Sequence, residues 1–345
     1  MEQLSRDAPR LGLTAGELRG LARGAADREQ IEKLRDVQLT RTLLLIRHLV
    51  ATDADLVPAA TMIGRAYEVD PGAVREVLRL PWLGVWATQR TRGVASASVG
   101  YLDAIARRAA NRAGMDSGAV DDWPTLTRYS LRRNGRSLHL TVDDADPMRD
   151  CYGLQLAGRL TDAGHAAAKS TFDSAWRLLA DLAPAYADEL AFGLTTFVPL
   201  GDAGAGNHSV THSDAFGAFA SEPGLGAVEL AVAMVHEFQH SKLSVVMHLA
   251  DLFDPADRGW YRSPWRADPR PITGLLHGAY AFTAVADLWA AFRVQDELAE
   301  RAEARLAEVR GQLDQAFAEL DRAASLTDAG LLLCATLAAR DFASS

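Results

Sequence analysis

The sequence predicts a mainly α fold carrying a small β hairpin or sheet, an α+β architecture with an apolar helix at its core. Three observations carry that prediction. Apolar residues recur at helical spacing through Ile31, Leu34 and Val37, and again through Leu39, Leu43, Ile46 and Leu49. Asn134-Gly135 stands between two strand-like runs, a strong short-range hairpin signal. Ala227 to Leu252 is an apolar-rich stretch of helical length.

Taken in order, residues 1–113 read as a helical N-terminal region. Gln30 to Val50 forms its longest helix. Val57 to Tyr67 and Pro71 to Leu80 are shorter ones, the second with Pro71 near its first turn, where a missing N–H is harmless. Val99 to Ala113 is alanine-rich and helical. These helices form a scaffold or, alternatively, a peptide-docking surface. The composition changes at Gly114 to Trp123, so residues 114–345 form a second region, or the chain is one continuous unit.

Beyond that change, Thr127 to Leu131 and Ser137 to Val142 are the hairpin strands, and Asp143 to Asp150 is an acidic turn. Ala163 to Leu182 is a helix with Phe172, Trp176 and Leu179 at core spacing, and Leu194 to Leu200 is a strand. Gly201 to Asn207 is glycine-rich but has no Gly-Lys-Ser/Thr after it, which excludes a phosphate-binding loop. Arg293 to Arg310 mixes glutamates and arginines, with Glu297 and Arg301 an i,i+4 pair, and reads as a solvated helix face.

Composition narrows the function classes. With 345 residues, 48% hydrophobic and 23% charged, a disordered chain is excluded. The net charge of -9 argues against a nucleic-acid binder. Two cysteines, Cys151 and Cys334, give no disulfide framework, so a reducing compartment is expected. Met1 to Gly20 has no apolar signal core, and uninterrupted apolar runs fall far short of the ~18 residues of a membrane span. The expected location is cytoplasmic, without membrane contact.

The sharp motif is His236-Glu237-Phe238-Gln239-His240, the pattern HExxH. Residues four apart share a helix face, so both imidazoles can grip one metal ion. Glu237 is turned about 100° away, toward a metal-bound water rather than the ion. The metzincin extension is absent, because Leu243 and Val246 stand where Gly and His would be needed. His248 is poorly phased. His277, at the start of an apolar helix running to Ala291, is the best third ligand, with Asp254, Asp257, Asp268 and Asp287 as weaker ones. Such a set suits zinc hydrolysis or non-haem iron chemistry. His208 and His212 are pocket-lining or plain loop residues. The Trp260 to Pro271 segment holds Arg262, Arg266 and Arg270 among aromatics and prolines. It serves either carboxylate capture or a structural turn salt-bridged through Asp268.

These residues bring out a resemblance. Asp214-Ala215-Phe216-Gly217, the stretch from Val235 to Leu243, Pro264-Trp265-Arg266-Ala267-Asp268-Pro269-Arg270-Pro271, and Gly274-Leu275-Leu276-His277-Gly278-Ala279-Tyr280 together resemble the HExxH-containing peptide-modification family. Leu80-Pro81-Trp82 and the segment from Leu138 to Leu200 extend the likeness over most of the chain. Members of that family work beside radical-SAM maturases on ribosomally made precursor peptides. The resemblance implies a peptide β-hydroxylase using iron(II), 2-oxoglutarate and oxygen, on a mostly helical fold rather than a double-stranded β-helix. It implies His236, His240 and His277 as iron ligands, and Arg266 or Arg270, with Tyr280, on the 2-oxoglutarate. Glu237 then orients its neighbours. Trp260, Tyr261, Trp265 and Tyr280 would keep water from the oxidant. The alternatives are a zinc metallopeptidase with Glu237 as general base, and a non-catalytic peptide-binding protein.

Overall fold

A computed structural model describes residues 12–118, 124–201, 209–222 and 224–342. Helix α1 (Ala15–Ala22) is opened by a capping box, Thr14 and Glu17 each closing the other's backbone N–H. α2 (Arg28–Thr52) starts on a second one, Asp27 with Gln30. α3 (Val57–Val69), α4 (Pro71–Leu78), α5 (Pro81–Thr91) and α6 (Val99–Arg112) follow, the first three with proline in their opening turn. Strands β1 (Thr127–Arg133) and β2 (Arg136–Val142) form the expected hairpin. Asn134 and Gly135 both take positive φ, 48° and 75°, as the two central residues of a type I′ turn require.

α7 (Asp162–Leu182) and α8 (Pro184–Gly193) then lead to β3 (Thr196–Pro199). The short β4 (Ser209–Val210) and β5 (Ala218–Ser221) complete a mixed sheet in the order β1-β2-β3-β5-β4, with β2, β3 and β5 parallel. The C-terminal third is helical: α9 (Ala227–Val246), α10 (Ile272–Phe292), α11 (Asp296–Asp321) and α12 (Asp328–Ala338). The architecture is therefore mainly α with a small open sheet, and it contains no closed barrel among the described residues. The glycine-rich Gly201 to Asn207 loop and His208 lie outside the described residues apart from Gly201.

The sheet divides two hydrophobic clusters, and its pleat shows in the residues. Phe197 and Phe219 enter one cluster with α7, α9 and α10, while Val198, Ala218 and Ala220 enter the other with α3, α5 and α6. Leu18 to Val37 belong to the cluster that holds α9, so packing crosses Gly114 to Trp123. α10 packs against both α9 and α11. It is the one helix among the described residues long and apolar enough to cross a bilayer, and 72% of that apolar window is buried in the protein. The run-length reading of the sequence missed it because His277, Thr283 and Asp287 interrupt the apolar run.

Candidate metal centre

α9 is buried on nearly every side, which explains its continuous hydrophobicity. Gly193 at the end of α8 permits its close seating. An ideal Cβ there would lie 2.0 Å from the Phe238 ring, one residue beyond Glu237. α9 presents His236 and His240 to α10, which presents His277. His240 Nε2 lies 3.0 Å from His236 Nε2, and His240 Nδ1 lies 3.3 Å from His277 Nδ1. Burial drives the imidazoles of His236 and His277 down to about 4, and that of His240 well below its ordinary value. All three are therefore neutral, the form that ligates metals.

Two nitrogens on one ion, each about 2.1 Å from it, stand about 3.0 Å apart at a right angle. The His236–His240 spacing fits this and also fits a hydrogen bond between neutral imidazoles. His240 turns its other nitrogen to His277. Accordingly, no three His, Cys, Asp or Glu side chains among the described residues converge on one point. The third histidine joins the pair only if its ring or that of His240 rotates. The donor set, three neutral imidazoles in partial contact with solvent, fits a divalent transition metal on chemical grounds.

Glu237 is turned toward β4. Its carboxylate accepts the Ser209 hydroxyl at 2.7 Å and the Thr211 backbone N–H, and burial raises it to about 7. Beneath it runs a wholly buried network that sequence reasoning missed. Glu189 of α8 accepts Gln239 Nε2 at 2.7 Å and the Ala26 N–H at 2.6 Å, and pairs with Lys242, whose side chain is 0% exposed. Desolvation alone would lower Lys242, but the Glu189 carboxylate outweighs it and holds the ammonium charged.

Tyr280 belongs to this network. Its hydroxyl donates to the Leu21 carbonyl at 2.7 Å and its ring lies against Lys242, so it faces away from the histidines' open side. Arg266 and Arg270 both pair with Asp268 and are 59% and 38% exposed, the arrangement of a salt-bridged turn. Of these aromatics, Trp265 alone connects to the histidines, through Phe282. It stacks on Phe282 at 4.6 Å and 7°, and Phe282 meets His236 edge-on at 4.9 Å. Gly278 makes room for it, since a Cβ there would lie 2.4 Å from the indole. Trp260 is 73% exposed, and Tyr261 donates to Asp257. His212 accepts the Asp214 N–H, and His248 is exposed past the end of α9. Cys151 and Cys334 are free, with thiols pushed up to about 12 by burial, and so are inert.

An open cleft of about 490 Å³ reaches His236 and Ser209. Its wall is apolar, built from Val232, Ala233, Phe282, Val285 and Trp289, and Glu229, Arg301 and Arg305 also line it. Neither Glu237, Arg266 nor Arg270 lines it. No family model matches the chain, and no curated protein matches it.

Proposed function

We propose that the chain is a non-haem iron(II) and 2-oxoglutarate-dependent hydroxylase that inserts oxygen at a β-carbon of a ribosomally made precursor peptide. In this reading it works in the cytoplasm, beside a radical-SAM maturase of the same pathway. The observation that carries the reading is the cluster of three imidazoles on α9 and α10, of which His236 opens onto an apolar-walled cleft.

His236, His240 and His277 would hold the iron. Bound there with 2-oxoglutarate, it supplies oxidative decarboxylation coupled to oxygen insertion into a C–H bond. The rest is the work of the chain. Phe282 lies edge-on to His236 and is backed by Trp265, an apolar wall that limits water on that side of the reacting centre. The apolar cleft wall receives the aliphatic part of a peptide side chain. Glu237, tied to Ser209 and Thr211, fixes β4 against α9 and so holds the cleft's polar edge in place.

One observation favours zinc-dependent peptide hydrolysis as a second reading. A carboxylate raised to about 7 is in the range of a general base. Its carboxylate does not itself line the cleft and meets it only through the Ser209 hydroxyl, which favours the hydroxylase. Protein reconstituted with iron(II), 2-oxoglutarate, oxygen and the cognate precursor peptide should add the mass of one oxygen atom to the peptide and release succinate. Cleavage of peptide bonds with zinc alone would exclude the hydroxylase reading.

A further inference from the structure

The cleft beside His236 carries two arginines for which the proposed chemistry has so far had no use. Arg301 and Arg305 are four residues apart on α11, on one face of the helix, and both line the cleft. Arg301 lies over the Trp289 ring, 5.6 Å from its centroid, and pairs with Glu229. Arg305 pairs with Glu308 at 2.6 Å and is about half exposed.

Glu229 connects this cationic patch to the histidines. It lies seven residues before His236 on α9, and two turns bring it to the same face, about 10 Å along the axis. Val232 and Ala233 lie on that face between them, and both line the cleft. Thus one apolar stripe runs from the His236 imidazole at one end to a guanidinium already holding a carboxylate at the other. A five-carbon dicarboxylate with one polar contact at each end spans about the same distance.

We infer that Arg301 and Arg305 form the carboxylate-binding end of a small-dicarboxylate site whose other end is the histidine cluster, and that Glu229 occupies this end until the ligand displaces it. The identity of the ligand, 2-oxoglutarate, rests on the hydroxylase reading. The site itself rests on charge and shape. The guanidinium of Arg301 lies over the Trp289 ring, 5.6 Å from its centroid, at the cleft wall, where it can meet a carboxylate arriving from the cleft. The apolar wall matches the methylenes between the carboxylates. Exchange of one carboxylate for another keeps Arg301 paired, so Glu229 holds Arg301 in place when the cleft is empty. Arg266 and Arg270, engaged with Asp268 and outside the cleft, are not needed for this task.

The test is an anaerobic calorimetric titration of the full chain, loaded with iron(II), against 2-oxoglutarate. Arg301→Gln should weaken binding about tenfold or more, the size of losing a charge-assisted pair. Arg301→Gln with Arg305→Gln should weaken it further, while Arg266→Gln has no effect. Glu229→Gln should tighten binding about threefold, because a competing exposed carboxylate is removed. Iron content should be unchanged in all of them. Unchanged 2-oxoglutarate affinity in the double-arginine variant would overturn the inference. So would weakened binding in Glu229→Gln, or an arginine effect confined to the affinity for the precursor peptide. Succinate release separates this inference from the reading beneath it. If wild-type protein releases succinate and the double variant keeps its 2-oxoglutarate requirement, the hydroxylase reading survives and the arginine site falls. If wild-type protein never releases succinate yet loses dicarboxylate binding with the two arginines, the site survives and the hydroxylase reading falls.

Discussion

At the scale of single residues, Glu237 separates the two enzymatic readings. Its carboxylate is buried and held by Ser209 and Thr211, so Glu237→Gln keeps the shape and one acceptor oxygen. In the hydroxylase reading the variant retains metal and at least about a tenth of the oxygenation rate, as expected when a positioning contact rather than the reacting group changes. A zinc peptidase would lose nearly all activity, and single-turnover product analysis tells the two apart. The pairing of His236 with His240 was legible in the sequence because i,i+4 spacing dictates a shared helix face. His277 lies beside His240, with 3.3 Å between their Nδ1 atoms, and the three rings do not converge on one point among the described residues. Arg301 was not legible as part of a cleft. The i,i+4 charge pattern of α11 describes a helix surface, but no local pattern says that Glu229 and Trp289, from two other helices, meet it there. Glu189 was equally hidden, because nothing in Ala185 to Phe192 marks one carboxylate for complete burial under a lysine 53 residues away.

At the scale of elements, the site depends on how closely α10 accepts the loop that carries Trp265. Gly278 leaves the space for the indole, one residue after His277. Gly278→Ala places a methyl inside that ring, so Trp265 must leave Phe282 or α10 must shift. A loss of about 1–3 kcal/mol is expected from overpacking of this kind. Urea unfolding measures it, and a rise in the indole's exposure to a soluble quencher marks the opened wall. An unchanged quenching curve would show that Trp265 does not back Phe282 beside the histidines. Long periodic helices and the Asn134-Gly135 hairpin were legible because their signals are local. The parallel neighbours β2, β3 and β5 were not. Their register joins Thr141 with Thr196, and Thr196 with Ala218, and such distant pairings leave no trace in local periodicity. Helix α8 also escaped notice, its ten residues being too few for a clear period.

At the scale of the whole molecule, the sheet between two clusters has a titratable consequence. The turn after β2 sets Asp143 and Asp146 against α5 and α6, where Trp82 Nε1 donates to Asp143 at 2.7 Å and the Tyr101 hydroxyl donates to Asp146 at 3.0 Å. Burial, with the neighbouring Asp143, raises Asp146 from 3.8 to about 7. A carboxyl that holds its proton more tightly folded than unfolded is at its most favourable below the unfolded value. Its contribution to stability then falls as pH rises from 3.8 toward about 7. Asp146→Asn preserves the shape and can still accept the Met148 N–H, so the variant should lose that part of the pH dependence. Chemical denaturation midpoints of both proteins at about pH 5 and about pH 8 check the sign, with the variant gaining relative to wild type at the higher value. An equal difference at both values would mean that Asp146 is ionised throughout. The acidic turn was legible in the sequence, but its burial depends on helices more than forty residues upstream.

In the proposed site, three histidines from two packed helices hold one metal ion. Metal analysis of anaerobically purified protein tests it most directly, comparing wild type with His236→Ala, His240→Ala and His277→Ala. Close to one iron per wild-type chain is expected, with loss of that iron in the His236 and His240 variants, weakened retention in the His277 variant, and the fold intact by circular dichroism. A wild-type chain that binds no metal, or variants that retain it undiminished, would contradict the proposed site.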